Sequence, residues 1–148
     1  MKTKIHYLIL IPFTLIGCQT ETKTNPSVST IKEIQIDRSY EEISEYELVW
    51  ESIFDVTNSN YYVYFYSTGC SHCEELKKFI VETALEREDI YFVKGTSRDQ
   101  ITSDTKKLIG AENPGDIWIL GYPSLIKISN QKVTKNLAGV SQIKAELK

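Results

Sequence analysis

Cysteine and histidine are scarce in this chain of 148 residues, which contains three cysteines and two histidines. Beyond residue 18, the residues of these two types are Cys70, His72 and Cys73 alone. They do not supply a full tetrahedral set of zinc ligands, and His72 lies between the two thiols in sequence. The composition therefore argues against a structural zinc site and predicts no metal and no cofactor.

The chain also lacks an excess of positive charge. It has 17 lysines and arginines against 20 acidic residues, which gives a net charge of −3. Two of the bases, Lys2 and Lys4, lie in the first 17 residues, where there is no acid, so the remainder has 15 bases against 20 acids. Because phosphate binding needs a basic face, nucleic acid is not an expected partner.

No hydrophobic run reaches the roughly 20 residues that span a bilayer. The longest one, Tyr7–Gly17, is shorter than this and follows Lys2 and Lys4. A short positive region and a short apolar core are typical of a signal peptide, which we place at residues 1–17.

The signal peptide ends in Leu15-Ile16-Gly17-Cys18. This sequence resembles the lipobox of bacterial lipoproteins. The resemblance implies that the sulfur of Cys18 receives a diacylglyceryl group and that cleavage leaves Cys18 as the first residue. A plain secretory signal followed by a chance cysteine is the alternative. Lipidation would hold the protein on the extracytoplasmic face of the cell membrane.

After Cys18, residues 19–30 contain no aromatic residue and one valine. Such a segment cannot build a core, so residues 18–30 are interpreted as a disordered, lipid-anchored tether. The remaining residues, 31–148, suffice for one domain with one core.

Hydrophobic periodicity predicts the elements of this domain. Tyr61–Tyr66 is an unbroken aromatic and β-branched run, which indicates a strand buried on both faces of a sheet. A capping box at Ser39 and Glu42 favours a helix over residues 40–55. The other predicted elements are a strand around Ile31, Ile34 and Ile36, a helix from about Cys70 to Arg87, a strand at 90–93, a short helix from Thr102 or Ser103 to Gly110, strands at 124–128 and 132–137 joined by a turn, and a helix from about Ser141. From Tyr61 onward, the predicted order is β-α-β-α-β-β-α.

Cys70-Ser71-His72-Cys73 lies between the buried strand and a helix. A thiolate is the attacking species in disulfide chemistry, and a helix N-terminus stabilises negative charge. Cys73 shares the i, i+3, i+7 pattern of Leu76 and Ile80, so it belongs to the apolar face. Cys70 is therefore predicted to attack the substrate, and Cys73 to resolve the mixed disulfide. A protonated His72 would lower the pKa of Cys70 and stabilise the reduced form.

Residues from about 31 to 148 resemble the thioredoxin superfamily. The resemblance is carried by YYVYFYSTGCSHC, by Gly121-Tyr122-Pro123-Ser124-Leu125-Ile126 before a hairpin, and by Gly139 after it. It implies an α/β thioredoxin-like fold, with a central mixed sheet flanked by helices. It also implies that Pro123 is cis and packs against the cysteines, and that the backbone of Tyr122 binds an extended substrate.

Two departures from the family pattern affect the chemistry. Many members carry a buried acid six residues before the first cysteine, where this chain has Tyr64. Water, Glu74 or a backbone route remain candidates for the proton acceptor of Cys73. Ser71-His72 is similar to the Pro-His of oxidising periplasmic members and differs from the Gly-Pro of reducing thioredoxins.

These features predict a thiol–disulfide oxidoreductase that exchanges disulfides with exported proteins and is served by a membrane redox partner. His72 favours the oxidising direction. Two other classes remain open: a thiolate metallochaperone, with copper as the favoured metal, and a non-catalytic surface module with a structural disulfide.

Overall fold

The computed structural model describes residues 37–96 and 99–148. The predicted signal peptide, the tether with Cys18, and the strand around Ile31–Ile36 lie outside the described residues. The helices and strands are, in chain order, β1 (Asn60–Tyr66), α1 (Ser71–Glu86), β2 (Ile90–Lys94), β3 (Ser124–Ser129), β4 (Lys132–Ala138) and α2 (Val140–Leu147). Short 3₁₀ segments cover Tyr40–Tyr46, Trp50–Ser52 and Pro114–Asp116.

The four strands form one mixed sheet in the order β2-β1-β3-β4. β1 is parallel to β2 and antiparallel to β3, and β4 is antiparallel to β3. The predicted central strand is confirmed, because β1 pairs on both sides and is buried at every position after Asn60. The chain thus has the α/β, thioredoxin-like architecture predicted from the sequence.

Successive residues of β1 face opposite layers, as the pleat of a strand requires. Tyr62, Tyr64 and Tyr66 lie in the core formed with α1 and α2. Tyr61, Val63 and Phe65 lie in a second core on the other side, which includes Ile117 and Ile119. The lack of alternation in this run is therefore explained by apolar layers on both faces of the sheet.

The prediction of one helix over residues 40–55 is wrong, because two short 3₁₀ segments lie there instead. The capping box forms, with the Glu42 carboxylate accepting the Ser39 N–H at 2.8 Å, but it starts a 3₁₀ segment. That segment ends because the next residues pair with the edge of β2: Glu47 forms a bridge with Phe92, and the Leu48 N–H donates to the Phe92 carbonyl at 2.7 Å. Sheet pairing here replaces the backbone bonds that a continuous helix would need.

The predicted short helix ending at Gly110 is also absent, and residues 105–110 form turns. Both ends of the segment are held by distant backbone. The Thr102 N–H donates to the Ile119 carbonyl at 2.9 Å, and the Gly110 N–H to the Val133 carbonyl at 2.8 Å. Within residues 37–96 and 99–148, no helix is long and apolar enough to cross a membrane.

Candidate functional site

The motifs identified in the sequence meet at one edge of the sheet, where β1 and β4 end and β3 begins. β1 ends at Tyr66, and four residues later the chain reaches Cys70. β3 runs antiparallel to β1 and starts beside its end, since Phe65 pairs with Ser124. Pro123 therefore lies at this edge, and so does Gly139, because Ser124 pairs with Ala138 on β4.

Cys70 and Cys73 form a disulfide at the start of α1, with 5.2 Å between their Cα atoms. Cys70 is the N-cap, and its Sγ accepts the backbone N–H of Cys73 at 3.1 Å. The two sulfurs are unequal in exposure, because Cys73 is fully buried in the helix-side core and Cys70 is half-buried. This arrangement suits attack at Cys70, although the catalytic roles of both residues stay predictions.

His72 and the acids beside it are on the exposed side of the first turn. The His72 Nδ1 lies 3.6 Å from a carboxylate oxygen of Glu75, an ion pair when the imidazole is protonated. Glu74 is paired with Lys77 at 2.8 Å, so part of its charge near Cys70 is offset. The predicted effect of His72 on the thiolate stays a prediction.

Tyr64 occupies the position where the family resemblance places a buried acid. It is fully buried, and burial raises the pKa of its hydroxyl far above its ordinary value. Its hydroxyl lies 3.4 Å from that of Tyr40, which donates to the backbone carbonyl of Cys73 at 3.1 Å. Burial also raises the pKa of Tyr40, to about 12. Both phenols are neutral at physiological pH, so neither acts there as a base for Cys73.

Tyr40 was not identified from the sequence. Its ring stacks on that of Tyr66, with centroids 4.0 Å apart, and this contact places the 3₁₀ segment against the end of β1. The residue lies next to a helix cap 30 positions before Cys70, and nothing local marks it as a neighbour of the disulfide.

The Tyr122–Pro123 peptide bond is cis, as the resemblance implies. The hydroxyl of Tyr122 donates to the carboxylate of Asp99, which also accepts the Thr96 hydroxyl at 2.7 Å. The carbonyl of Pro123 accepts the Gly139 N–H at 3.1 Å. The loop is thus fixed from two sides. Asp99 was another residue that the sequence did not indicate, and the substrate-binding roles of Tyr122 and Pro123 stay predictions.

Close packing on the Tyr122 ring explains a glycine in the neighbouring loop. A Cβ atom at Gly95 would collide with the Tyr122 side chain. The Gly95 N–H donates to the Tyr66 carbonyl at 2.6 Å and extends the pairing of β1 with the chain after β2.

Among residues 37–96 and 99–148, no group of three or more His, Cys, Asp or Glu side chains is placed to hold a metal ion. Binding of copper would therefore depend on the two sulfurs of the reduced Cys70–Cys73 pair. Soft thiolates are suitable ligands for Cu(I).

This chain is similar in structure to known proteins. No protein-family model matches it, and no curated protein matches it. Several solved structures do. Mitochondrial thioredoxin 3 from Saccharomyces cerevisiae is 15% identical, with a TM-score of 0.45 over 68% of this chain and 88% of that one.

Two other solved structures match over the same 68% of this chain. A thioredoxin pre-protein from Schistosoma mansoni is 21% identical over 90% of its own length, with a TM-score of 0.46. Thioredoxin f from spinach chloroplast is 14% identical over 78% of its length, also with a TM-score of 0.46. The assignment of a thioredoxin-like fold rests on the strand order of this chain, on its disulfide at the start of α1, and on the cis-proline before β3.

Proposed function

We propose that this protein is an extracytoplasmic thiol–disulfide oxidoreductase that exchanges disulfides with exported proteins. One observation carries the proposal. Cys70 caps α1 with its sulfur on a backbone N–H and is joined to Cys73, which is fully buried. An accessible sulfur at a helix start, beside a second, shielded sulfur that can displace the substrate sulfur from it, has the parts that disulfide exchange needs.

In the oxidising direction, a substrate thiolate attacks the Sγ of Cys70, and the bond to Cys73 breaks with release of the Cys73 thiolate. A second substrate thiolate then attacks the substrate sulfur of the mixed disulfide and releases the Cys70 thiolate. Two electrons pass from the substrate dithiol to the protein. A membrane thiol–disulfide protein would return the pair to its oxidised form. The reducing direction is the reverse of these steps.

The oxidising direction is favoured by what surrounds Cys70. The N–H of Cys73 is placed to donate to a thiolate, and a protonated His72 in the same turn would add positive charge. Both interactions stabilise the reduced form, and a dithiol that is more stable makes its disulfide the stronger oxidant.

The proposed location rests on the N-terminal sequence. Lys2, Lys4, the apolar run and the Leu15–Cys18 segment together favour export and lipidation at Cys18. Anchored on the outer face of the cell membrane, the domain would meet proteins as they leave the membrane, together with a membrane-bound redox partner.

The test is to trap the mixed disulfide in cells. Cys73→Ser leaves the attacking sulfur without its resolving partner, so adducts with exported proteins should accumulate, because no external thiol matches the effective concentration of an intramolecular one. Cys70→Ser should trap few adducts, since the remaining cysteine, Cys73, is buried. The measurement is non-reducing electrophoresis of envelope proteins, with bands that collapse on reduction.

The doubly substituted protein, with serine at both positions, is the matched control and should give no adducts. Equal trapping by both single variants would overturn the assigned roles. A protein that binds Cu(I) and gives no adducts from either variant would be a metallochaperone instead.

A further inference from the structure

Two cavities lie at the C-terminal ends of β1 and β2. One, of about 370 Å³, includes Thr68 and Glu74, which flank Cys70 in the chain. The other, of about 430 Å³, lies between residues 47–51 and the end of β2. Glu47 and Lys94 line both cavities, so the two are adjacent, and together they are called the acidic trough below.

The far end of the trough has an apolar wall. The residues that line it are Leu48, Val49, Trp50 and Val93, and Val49 is 63% exposed. Trp50 is held in place, since its ring packs on Phe65 with centroids 5.5 Å apart and its Nε1 donates to the Pro114 carbonyl at 3.1 Å. A fixed aromatic ring beside an exposed valine is suited to receive an apolar side chain.

The described lining of the trough is acidic. It carries five carboxylates and two ammonium groups: Glu41, Glu47, Glu51, Glu74 and Asp99 against Lys77 and Lys94. Asp99 is bonded to Tyr122 and Glu74 to Lys77. The side chain of Glu51 has no hydrogen-bond or ion-pair partner among the described residues. Glu47 accepts one hydrogen bond, from the Tyr66 hydroxyl at 3.5 Å. These two carboxylates are therefore placed to bind a cation from outside.

We propose that this acidic trough binds an extended segment of the substrate protein next to its reacting cysteine. An apolar side chain of that segment would pack against Trp50 and Val49, and a lysine or arginine would pair with Glu47 and Glu51. The inference rests on the proposed function and names its substrate class: exported proteins whose cysteines are flanked by basic and apolar residues.

Three features of the trough support a peptide over other occupants. One of its cavities is lined by Thr68 and Glu74, on either side of Cys70 in the chain, so a bound segment would hold a neighbouring cysteine near Cys70. Its walls combine apolar and acidic groups, which match a chain of mixed side chains. Its negative charge repels anionic lipid headgroups and nucleic acid.

The test uses the full chain in a neutral detergent and peptides that carry two cysteines. In a single turnover, the Cys70–Cys73 disulfide passes to the peptide, and the protein becomes the dithiol. The peptides share one leucine and differ only in flanking residues, which are lysine, glutamine or glutamate. At low ionic strength the lysine peptide should react about tenfold faster than the glutamate peptide, and the difference should shrink as salt is added.

Glu47→Gln combined with Glu51→Gln should remove most of the preference for the lysine peptide over the glutamate peptide. The matched control is Glu86→Gln combined with Glu88→Gln, which removes the same charge from exposed positions at the other end of α1 and should keep the preference. A peptide with glycine in place of leucine should react more slowly with the unmodified protein. Val49→Ser, a change at an exposed position, should reduce the rate difference between the leucine and glycine peptides.

Two other outcomes would count against the proposal, and they are distinguishable. Equal rates for all peptides would contradict the proposal that the acidic trough binds substrate, and would leave the proposed disulfide exchange unaffected. No reaction with any peptide or with a small neutral thiol would instead contradict the proposed function. The proposal of substrate binding in the trough, which rests on that function, would be contradicted as well.

Discussion

At the scale of single residues, the difference between Cys70 and Cys73 lies in their surroundings. The sulfur of Cys70 is half-buried and accepts a backbone N–H, whereas Cys73 lies wholly inside the helix-side core. A backbone donor at a helix start lowers the free energy of a thiolate relative to a thiol. A sulfur in an apolar core has the opposite tendency.

The first consequence is a lowered pKa for Cys70. In a Cys73→Ser background, its thiol should titrate below the reference value of about 8.5. The measurement is ultraviolet thiolate absorbance against pH. His72→Ala should raise the midpoint, whereas Lys78→Ala, which removes an exposed cation further along α1, should change it less. A midpoint at or above the reference would contradict the assigned role of the helix start.

Sequence and structure agree on these residues to different degrees. The inward position of Cys73 follows from local spacing, since it shares a helix face with Leu76 and Ile80. Tyr40 and Asp99 could not be found in this way. Their contacts, with Cys73 and Tyr122, join residues 33 and 23 positions apart and form only when the chain has folded.

At the scale of elements, local pattern and distant pairing compete. β1 and α1 form where periodicity predicts them, because their apolar residues match the buried faces. Residues 40–55 have a helical pattern of apolar residues, yet pairing of Glu47 and Leu48 with Phe92 divides them into two 3₁₀ segments. A single sequence carries no local sign of such a pairing, which is why the helix was predicted in error.

The 3₁₀ segment at Tyr40–Tyr46 stabilises the start of α1 through one side chain. Tyr40→Phe keeps the ring on Tyr66 and removes the hydrogen bond to the Cys73 carbonyl, so unfolding free energy should fall by about 1 kcal/mol. Tyr40→Ala should cost about 2 kcal/mol or more, because the ring stacking is lost as well. Denaturant titration monitored by circular dichroism measures both values.

Tyr46→Phe is the control for the loss of a tyrosine hydroxyl. Within the described residues the Tyr46 hydroxyl has no hydrogen-bond partner, so its removal should change the unfolding free energy by less than about 0.5 kcal/mol. Equal effects of Tyr40→Phe and Tyr46→Phe would show that the bond to Cys73 contributes nothing.

At the scale of the whole molecule, the fold gathers separate motifs at one edge of a mixed sheet. The disulfide follows β1, Pro123 precedes β3, and Gly139 follows β4. This convergence was anticipated through the resemblance to thioredoxins, since spacing along the chain does not determine which strands are neighbours. Most of the acidic trough lies outside the motifs that carry that resemblance, because most of its lining comes from the 3₁₀ segments and from the chain at and after the end of β2.

The proposed lipid anchor at the N-terminal segment would determine where in the cell the disulfide site acts. With Cys18 lipidated, the full chain should fractionate with membranes, and Cys18→Ala should release it, because two acyl chains anchor a protein stably. Cys70→Ala is the control and should stay membrane-bound. Equal membrane association of both variants would exclude the lipid anchor.

The proposed function requires that Cys70 and Cys73 form a reversible redox couple and not a structural cross-link. The most direct measurement is the fraction of this disulfide at equilibrium in a series of glutathione buffers, quantified by thiol labelling and mass spectrometry. We expect one two-electron transition within the range of those buffers, with the dithiol stabilised by the start of α1. A disulfide that persists in excess reduced glutathione, as expected for structural bonds with potentials below about −300 mV, would contradict it.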